Sequence, residues 1–334
     1  MKPGCLFRCD CDGVSGYGHF SRSLSLARAV LGAAPATRVA FAGSYDGFAL
    51  DALWRHGIAR VALEAPGFDA AGAAATARAG EGFGTLVVDT YLAGQGYMDA
   101  LGGRACKLAV IDDMHALDLA RADLVICFRA GAEGRSYGAR KEALGLRYLV
   151  VKPELRPIRE KNLAARPGPL REVLVAFTGQ DGEAASLAAL VNAVAAALPQ
   201  AAVRYITKDG KPLRGTGEAI AEPTRQDIES LYGRAHLIVT GGGLVKYESA
   251  YCAIPSASLS RTALQLEDSR VLAARGLTLD LGAMADFRAE TVREALAVFA
   301  SDPGAQAAQR RAFGAQLAAD STGQLAGMLL SLHD

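Results

Sequence analysis

The sequence predicts an α/β protein of two Rossmann-like domains, each a parallel sheet covered on both faces by helices. Short apolar, β-branched runs alternate with longer Ala/Leu-rich segments along the whole chain. The 334 residues, 51% of them hydrophobic, exceed one ordinary domain and can bury a large core. A segment rich in proline and charge divides the alternation into two blocks.

In the first block, strands are expected at 5–9, 38–42, 85–89, 107–111 and 124–128. In the second they are expected at 172–177, 202–206, 236–240, 256–259 and 278–281. Between them, 152–161 and 165–169 have the composition of an exposed linker. The domains are therefore placed at residues 1–158 and 159–334, the first carrying a candidate catalytic loop and the second a candidate nucleotide site. The Ala/Gly-rich stretch 67–80 reads as a short helix before the strand at 85. No period of about 20 to 50 residues repeats, so a solenoid is not indicated.

Thirty-six basic against 35 acidic residues leave a net charge of +1, which removes the electrostatic argument for a nucleic-acid partner. Any phosphate must then be bound locally. Arg8 and Asp10 interrupt the first apolar stretch, so no signal-peptide core is read, and no apolar run approaches the roughly 18 to 20 residues of a membrane span. A cytoplasmic protein is expected. The six cysteines are scattered, four of them in strand-like segments, as buried reduced thiols would be. Cys9 and Cys11 form a C-x-C without a second ligand pair, so neither a metal nor a cofactor is expected.

After the first strand comes Asp10-Cys11-Asp12-Gly13-Val14-Ser15-Gly16-Tyr17-Gly18-His19-Phe20-Ser21-Arg22, followed by a helical run. Glycines 13, 16 and 18 permit tight turns and close approach of a ligand to the helix N-terminus, where free amides and the dipole favour an anion. A dinucleotide fingerprint fails here. Its third glycine is Ser21, the loop is too long, and the second strand ends in Phe41-Ala42-Gly43-Ser44 without an acid. His19, at the start of the helix, reads as a candidate general base, the dipole favouring the neutral imidazole; the competing reading is a cap or a packed histidine. Its loop follows the carboxyl end of a strand, where ligands gather in open α/β sheets, and that decides for the base. Arg22 pairs with a phosphate or faces solvent.

In the second block, His236-Leu237-Ile238-Val239-Thr240 runs into Gly241-Gly242-Gly243 and then Leu244-Val245-Lys246-Tyr247-Glu248. Three glycines at a strand-to-helix turn expose amides that can cradle a diphosphate. Glu248 lies one to two turns into that helix, where it could reach a ribose diol with both carboxylate oxygens. Ser260-Arg261-Thr262 to Gln265 offers further polar groups at the end of the next strand, and Thr178-Gly179-Gln180-Asp181-Gly182 is a third such loop. Asp89-Thr90-Tyr91 and Asp112-Asp113 also end strands; adjacent acids point apart, so Asp112-Asp113 is expected to cap a helix.

Together these residues resemble the two-domain nucleotide-sugar enzymes of the GT-B fold, and within them the UDP-2,4-diacetamido-2,4,6-trideoxy-β-L-altropyranose hydrolases of pseudaminic acid biosynthesis. The resemblance rests on Phe7-Arg8-Cys9-Asp10, Gly16-Tyr17-Gly18-His19, Arg22, Val88-Asp89-Thr90-Tyr91, Ile111-Asp112-Asp113, Gly179-Gln180-Asp181, and the glycine turn with Glu248, Pro255 and Gln265. It implies a cleft between the two domains. It also implies that His19 activates water to attack the anomeric carbon with inversion and release of UDP. Tyr91 then belongs to the catalytic sugar site, and Gly179, Gly241, Gly242, Gly243, Leu244 and Glu248 to the nucleotide site. Asp10, Gly16, Tyr17, Gly18, Arg22, Tyr247 and Gln265 are expected against the substrate. The chain departs from the family at Tyr247, where asparagine is usual, at Thr178-Gly179-Gln180-Asp181, and at Lys152, where arginine is common.

Three readings follow: hydrolysis of a UDP-linked amino-deoxy sugar; inverting transfer to an acceptor sugar or protein by an enzyme of the same fold; and a silent nucleotide-sugar binder, against which His19 argues.

Overall fold

A computed structural model describes residues 4–12, 17–102, 106–166, 168–177, 184–207, 211–215, 217–221 and 228–333. The strands are β1 (Gly4–Arg8), β2 (Arg38–Ala42), β3 (Ala59–Val61), β4 (Thr85–Val88), β5 (Lys107–Ile111), β6 (Leu124–Cys127) and β7 (Glu142–Leu144), then β8 (Glu172–Ala176), β9 (Ala202–Thr207), β10 (Glu218–Ala221), β11 (Leu237–Thr240), β12 (Ser256–Ser260) and β13 (Leu279–Ala283). Among the described residues they form two parallel sheets, one ordered β3-β2-β1-β4-β5-β6-β7 and the other β10-β9-β8-β11-β12-β13. The central strands are apolar on both faces because helices cover both. In the first sheet Leu6, Leu86, Val88, Leu108 and Val125 are buried together, and in the second Val173, Val175, Leu237, Val239 and Leu259.

The helices are α1 (Gly18–Ala33), α2 (Gly47–Arg55), α3 (Ala70–Gly80), α4 (Gln95–Leu101), α5 (Arg156–Ala164) and α6 (Ala184–Ala197), followed by α7 (Ile228–Arg234), α8 (Leu244–Tyr251), α9 (Ala263–Ala274), α10 (Ala289–Ser301), α11 (Pro303–Gln316) and α12 (Ser321–Leu330). The Ala/Gly-rich stretch is indeed helical as α3, started by Asp69, whose carboxylate accepts from the Gly72 amide at 2.8 Å. Among the described residues no helix is long and apolar enough to cross a membrane. All six cysteines are buried.

The chain divides into Met1–Pro153 with Ala318–Asp334, and Glu154–Leu317. This differs from a second domain running to residue 334. The C-terminal helix α12 packs against α1 of the first unit. Ser321 donates its hydroxyl to the Leu149 carbonyl at 2.5 Å, and Thr322 both donates to the Val151 carbonyl (3.0 Å) and accepts from the Val151 amide (2.9 Å). Lys141 Nζ donates to the Ser331 carbonyl, and the His333 ring meets the Thr85 hydroxyl at 2.9 Å.

The expected linker at 152–161 is also corrected: most of it is helix α5, with Pro157 in the first turn, where its missing N–H costs nothing. Leu155 and Arg159 are buried. Arg159 donates to the carbonyls of Tyr251 (2.8 Å), Leu317 (2.6 Å) and Phe313 (3.4 Å), so one guanidinium satisfies carbonyls at the ends of α8 and α11. Arg159→Met is expected to destabilise the protein by about 2 to 3 kcal/mol, read from the urea midpoint, because a charged donor is lost to buried acceptors.

Candidate functional site

In the first unit, β1 lies between β2 and β4, so the strand order reverses between β1 and β4, the place where open α/β sheets bind ligands. The residues that follow these strands meet there. His19 and Arg22, one turn apart at the start of α1, both turn toward Asp89, the residue that follows β4. The Asp89 amide extends the ladder by donating to the Arg8 carbonyl at 3.0 Å, which fixes the carboxylate's origin.

Asp89 is fully buried and accepts from four groups. His19 Nδ1 lies 2.6 Å from Oδ1, Arg22 donates Nη2 to Oδ1 at 2.5 Å and Nε to Oδ2 at 2.7 Å, and Ser23 donates to Oδ2 at 3.2 Å. Burial alone would raise the Asp89 carboxyl, but Arg22 and His19 outweigh it and bring it down to about 2. A carboxylate only accepts, so the imidazole proton facing it resides on Nδ1, and Nε2 is left as the basic nitrogen. Arg22 Nη2, which carries two N–H groups, gives one of them to Asp89 and stands 3.0 Å from the same Nδ1.

Asp113, after β5, completes the cluster. Its Oδ2 accepts from Arg22 Nη1 at 3.0 Å and from the Tyr91 hydroxyl at 2.8 Å. Burial lowers the tendency of Arg22 to hold its proton, yet Asp89 and Asp113 more than restore it, so it stays a cation. The Tyr91 ring is exposed and stands edge-on to His19 with centroids 4.3 Å apart. The protein around its hydroxyl and then the Asp113 carboxylate push the phenol up, which keeps it a neutral donor. Asp112 does not cap a helix as expected: its Oδ1 accepts from the Met114 and His115 amides and closes a turn.

Asp10 faces inward. Its Oδ1 accepts from Arg8 Nη1 at 2.5 Å and from the Ser44 amide at 2.9 Å, tying β1 to the segment after β2. Arg8, fully buried, stacks over Phe68 at 3.9 Å and also bonds the Pro66 carbonyl. Tyr17 is exposed at the cap position of α1 and meets Phe48 edge-on, and Gly18 opens the helix. Gly16 and Gly179 lie outside the described residues.

In the second unit the strand order reverses between β8 and β11, and the glycine turn follows β11. Gly242 and Gly243 have φ of +123° and +65°, which L side chains rarely adopt. A Cβ on Gly241 would lie 2.7 Å from the Phe177 ring and 3.1 Å from Arg261 Cδ, and one on Gly242 would lie 2.7 Å from Gln265 Cδ. The turn is thus bare backbone walled by Phe177, Arg261 and Gln265. Gln265 is held there by the Arg261 amide, which donates to its Oε1 at 3.0 Å. Leu244 begins α8, whose N-terminus has no side-chain cap.

Glu248 Oε2 accepts from the Tyr232 hydroxyl at 2.8 Å, so one of the two oxygens expected on a ribose is already held by a buried phenol. Tyr247 is turned away from solvent. Its hydroxyl donates to Asp268 Oδ1 at 2.6 Å, while buried Lys246 holds Oδ2 at 2.5 Å, clamping α8 to α9.

No family model matches the sequence, and no curated protein matches it. Solved structures do. The spinosyn rhamnosyltransferase SpnG is 16% identical, with 99% of this chain and 100% of that chain covered and a TM-score of 0.64. LpCGTa, solved in complex with UDP, is 15% identical over 99% of both chains, with a TM-score of 0.67. A UDP-GlcNAc 2-epimerase from Neisseria meningitidis, bound to UDP-GlcNAc, is 11% identical over 99% of this chain and 100% of that one, also at 0.67. At such identities the likeness is one of fold. The chain has the two-domain α/β architecture of the GT-B proteins.

Proposed function

We propose that the chain is an enzyme that moves a sugar from a nucleoside diphosphate to a hydroxyl with inversion. The observation that carries this is the His19 Nδ1 contact with buried Asp89 at 2.6 Å, at the carboxyl ends of β1 and β4. In this reading His19 Nε2 takes the proton of an acceptor hydroxyl, and the oxygen attacks the anomeric carbon. The bond to the diphosphate breaks and its electron pair leaves with the nucleotide. Amides of the Gly241-Gly242-Gly243 turn, with Arg261 beside them, receive the growing charge. Tyr91, a neutral donor next to His19, is assigned to the sugar side, and Glu248 to the ribose.

An acceptor other than water is supported by neighbours of the same fold described as rhamnosyl- and forosaminyltransferases. Hydrolysis, with water as acceptor, is the second reading, and the resemblance at Gly18-His19 and Asp89-Thr90-Tyr91 favours it. Incubating the purified protein with UDP- and TDP-sugars, and following nucleoside diphosphate release with and without hydroxyl acceptors, separates the two. Release that needs an acceptor means transfer. Release into water alone means hydrolysis, and no release from any donor removes both.

Glu248→Ala is expected to weaken nucleotide binding about 10-fold with kcat within about threefold of wild type, since one charged hydrogen bond is lost. Tyr232 loses its partner in the same variant. A stability loss of about 1 to 2 kcal/mol should accompany the weaker binding in calorimetry.

A further inference from the structure

A cavity of about 300 Å³ lies within the second unit at the opposite ends of its strands from the glycine turn. Arg171 precedes β8, His236 precedes β11 and Pro255 precedes β12, and all three line it. From His236 to Gly241 the chain covers roughly 16 Å of strand. The lining gathers Lys161, Arg166, Arg171, Arg234 and Arg310 around His236, and among the described residues no Asp or Glu is part of it. In a chain of net charge +1, this is a local concentration of cations and not a general basicity.

Lys161 Nζ donates to the Gly233 carbonyl at 3.2 Å and Arg310 Nη1 to the Ala165 carbonyl at 3.3 Å, both uncharged acceptors. Arg310 Nε and His236 Nδ1 are buried without any hydrogen-bond partner among the described residues. Burial, together with Arg310, Lys161 and Arg171, lowers the His236 imidazole despite the opposing pull of Glu172. Burial likewise lowers Arg310. For Arg310 the cause is burial alone; for His236 burial comes first, and three neighbouring cations add to it against Glu172.

We propose that this cavity binds a small anion carrying two or more phosphate groups, at a site separate from the glycine turn. Guanidinium forks match phosphate oxygens in pairs, and five cationic side chains along one lining favour a multiply charged ligand over a single carboxylate. The volume is that of a small-molecule site.

Inorganic pyrophosphate is the probe, titrated calorimetrically into the full chain in 150 mM salt. Because pyrophosphate also resembles a ligand of the glycine turn, the titration is made in Gly242→Val, where a side chain fills that turn. One saturable site is expected to remain. Adding Arg234→Gln or Arg310→Gln should weaken it about 10-fold each, while the melting of the ligand-free proteins reports whether they fold. Arg234 is exposed, so its replacement leaves packing intact. Loss of all pyrophosphate binding in Gly242→Val alone, or arginine variants that bind as tightly as their parent, would overturn the proposal without touching the assignment of His19.

Discussion

Asp89→Asn is expected to lower turnover by about 10²- to 10⁴-fold while leaving the nucleotide Kd within about threefold of wild type. The carboxylate fixes the His19 proton on Nδ1 and steadies the imidazolium that forms when Nε2 takes a proton; an amide in its place can donate as well as accept and loses that control. Nucleotide affinity is spared because the glycine turn belongs to the other unit. His19→Ala should lose as much, and the double variant little more, since the two act as one device. Turnover in Asp89→Asn close to wild type would sink the assignment of His19 as base. The same substitution carries a stability signature. The Asp89 carboxyl lies near 2 when folded against an ordinary 3.8, so it contributes about 2 kcal/mol. A lowered folded value means that this contribution is present above the unfolded value and is lost as pH falls toward 2. Acid titration of the urea midpoint should therefore be flatter in Asp89→Asn than in wild type.

The residues around Asp89 also explain what a sequence discloses. The central strands were legible because burial on both faces demands continuous apolar runs. The strands that were not foreseen, β3, β7 and β10, each lie at a sheet edge, where Ala59-Arg60-Val61 or Glu142-Ala143-Leu144 need no such run. His19 stands out in the sequence by its place after a strand and at a helix start. The partnership of Asp89 and Asp113 with His19 and Arg22 is not legible in the sequence, because it depends on β4 lying beside β1, a neighbour chosen by topology across about 70 residues. The same limit hid the return of α12 to the first unit, which rests on hydroxyls of Ser321 and Thr322 reaching carbonyls some 170 residues away. Prolines and charges around Arg159 suggested a linker, since nothing local shows that its guanidinium is buried against distant carbonyls. The Tyr247 hydroxyl bond to Asp268 is hidden for a related reason: which face of α8 is covered is decided by α9.

Gly242→Val should abolish measurable nucleotide binding, a loss of about 10²-fold or more, with the first unit's His19–Asp89 contact untouched. Two physical causes act together. The position has φ of +123°, so a β-branched residue forces the backbone out of its conformation. Even without that movement its Cβ would fall 2.7 Å from Gln265 Cδ, and displacing Gln265 breaks the bond from the Arg261 amide that holds the wall of the turn. The amides then no longer converge on one anion, and the volume a diphosphate would use is filled. Gly243→Ala is the graded comparison: nothing lies within 4 Å of its Cβ, so only the strained φ of +65° is in play and a loss nearer 10-fold is expected. Equilibrium dialysis with labelled UDP measures both. If Gly242→Val bound UDP as wild type does, the nucleotide would have to be held elsewhere, and Glu248 and Arg261 would lose their assigned roles with it.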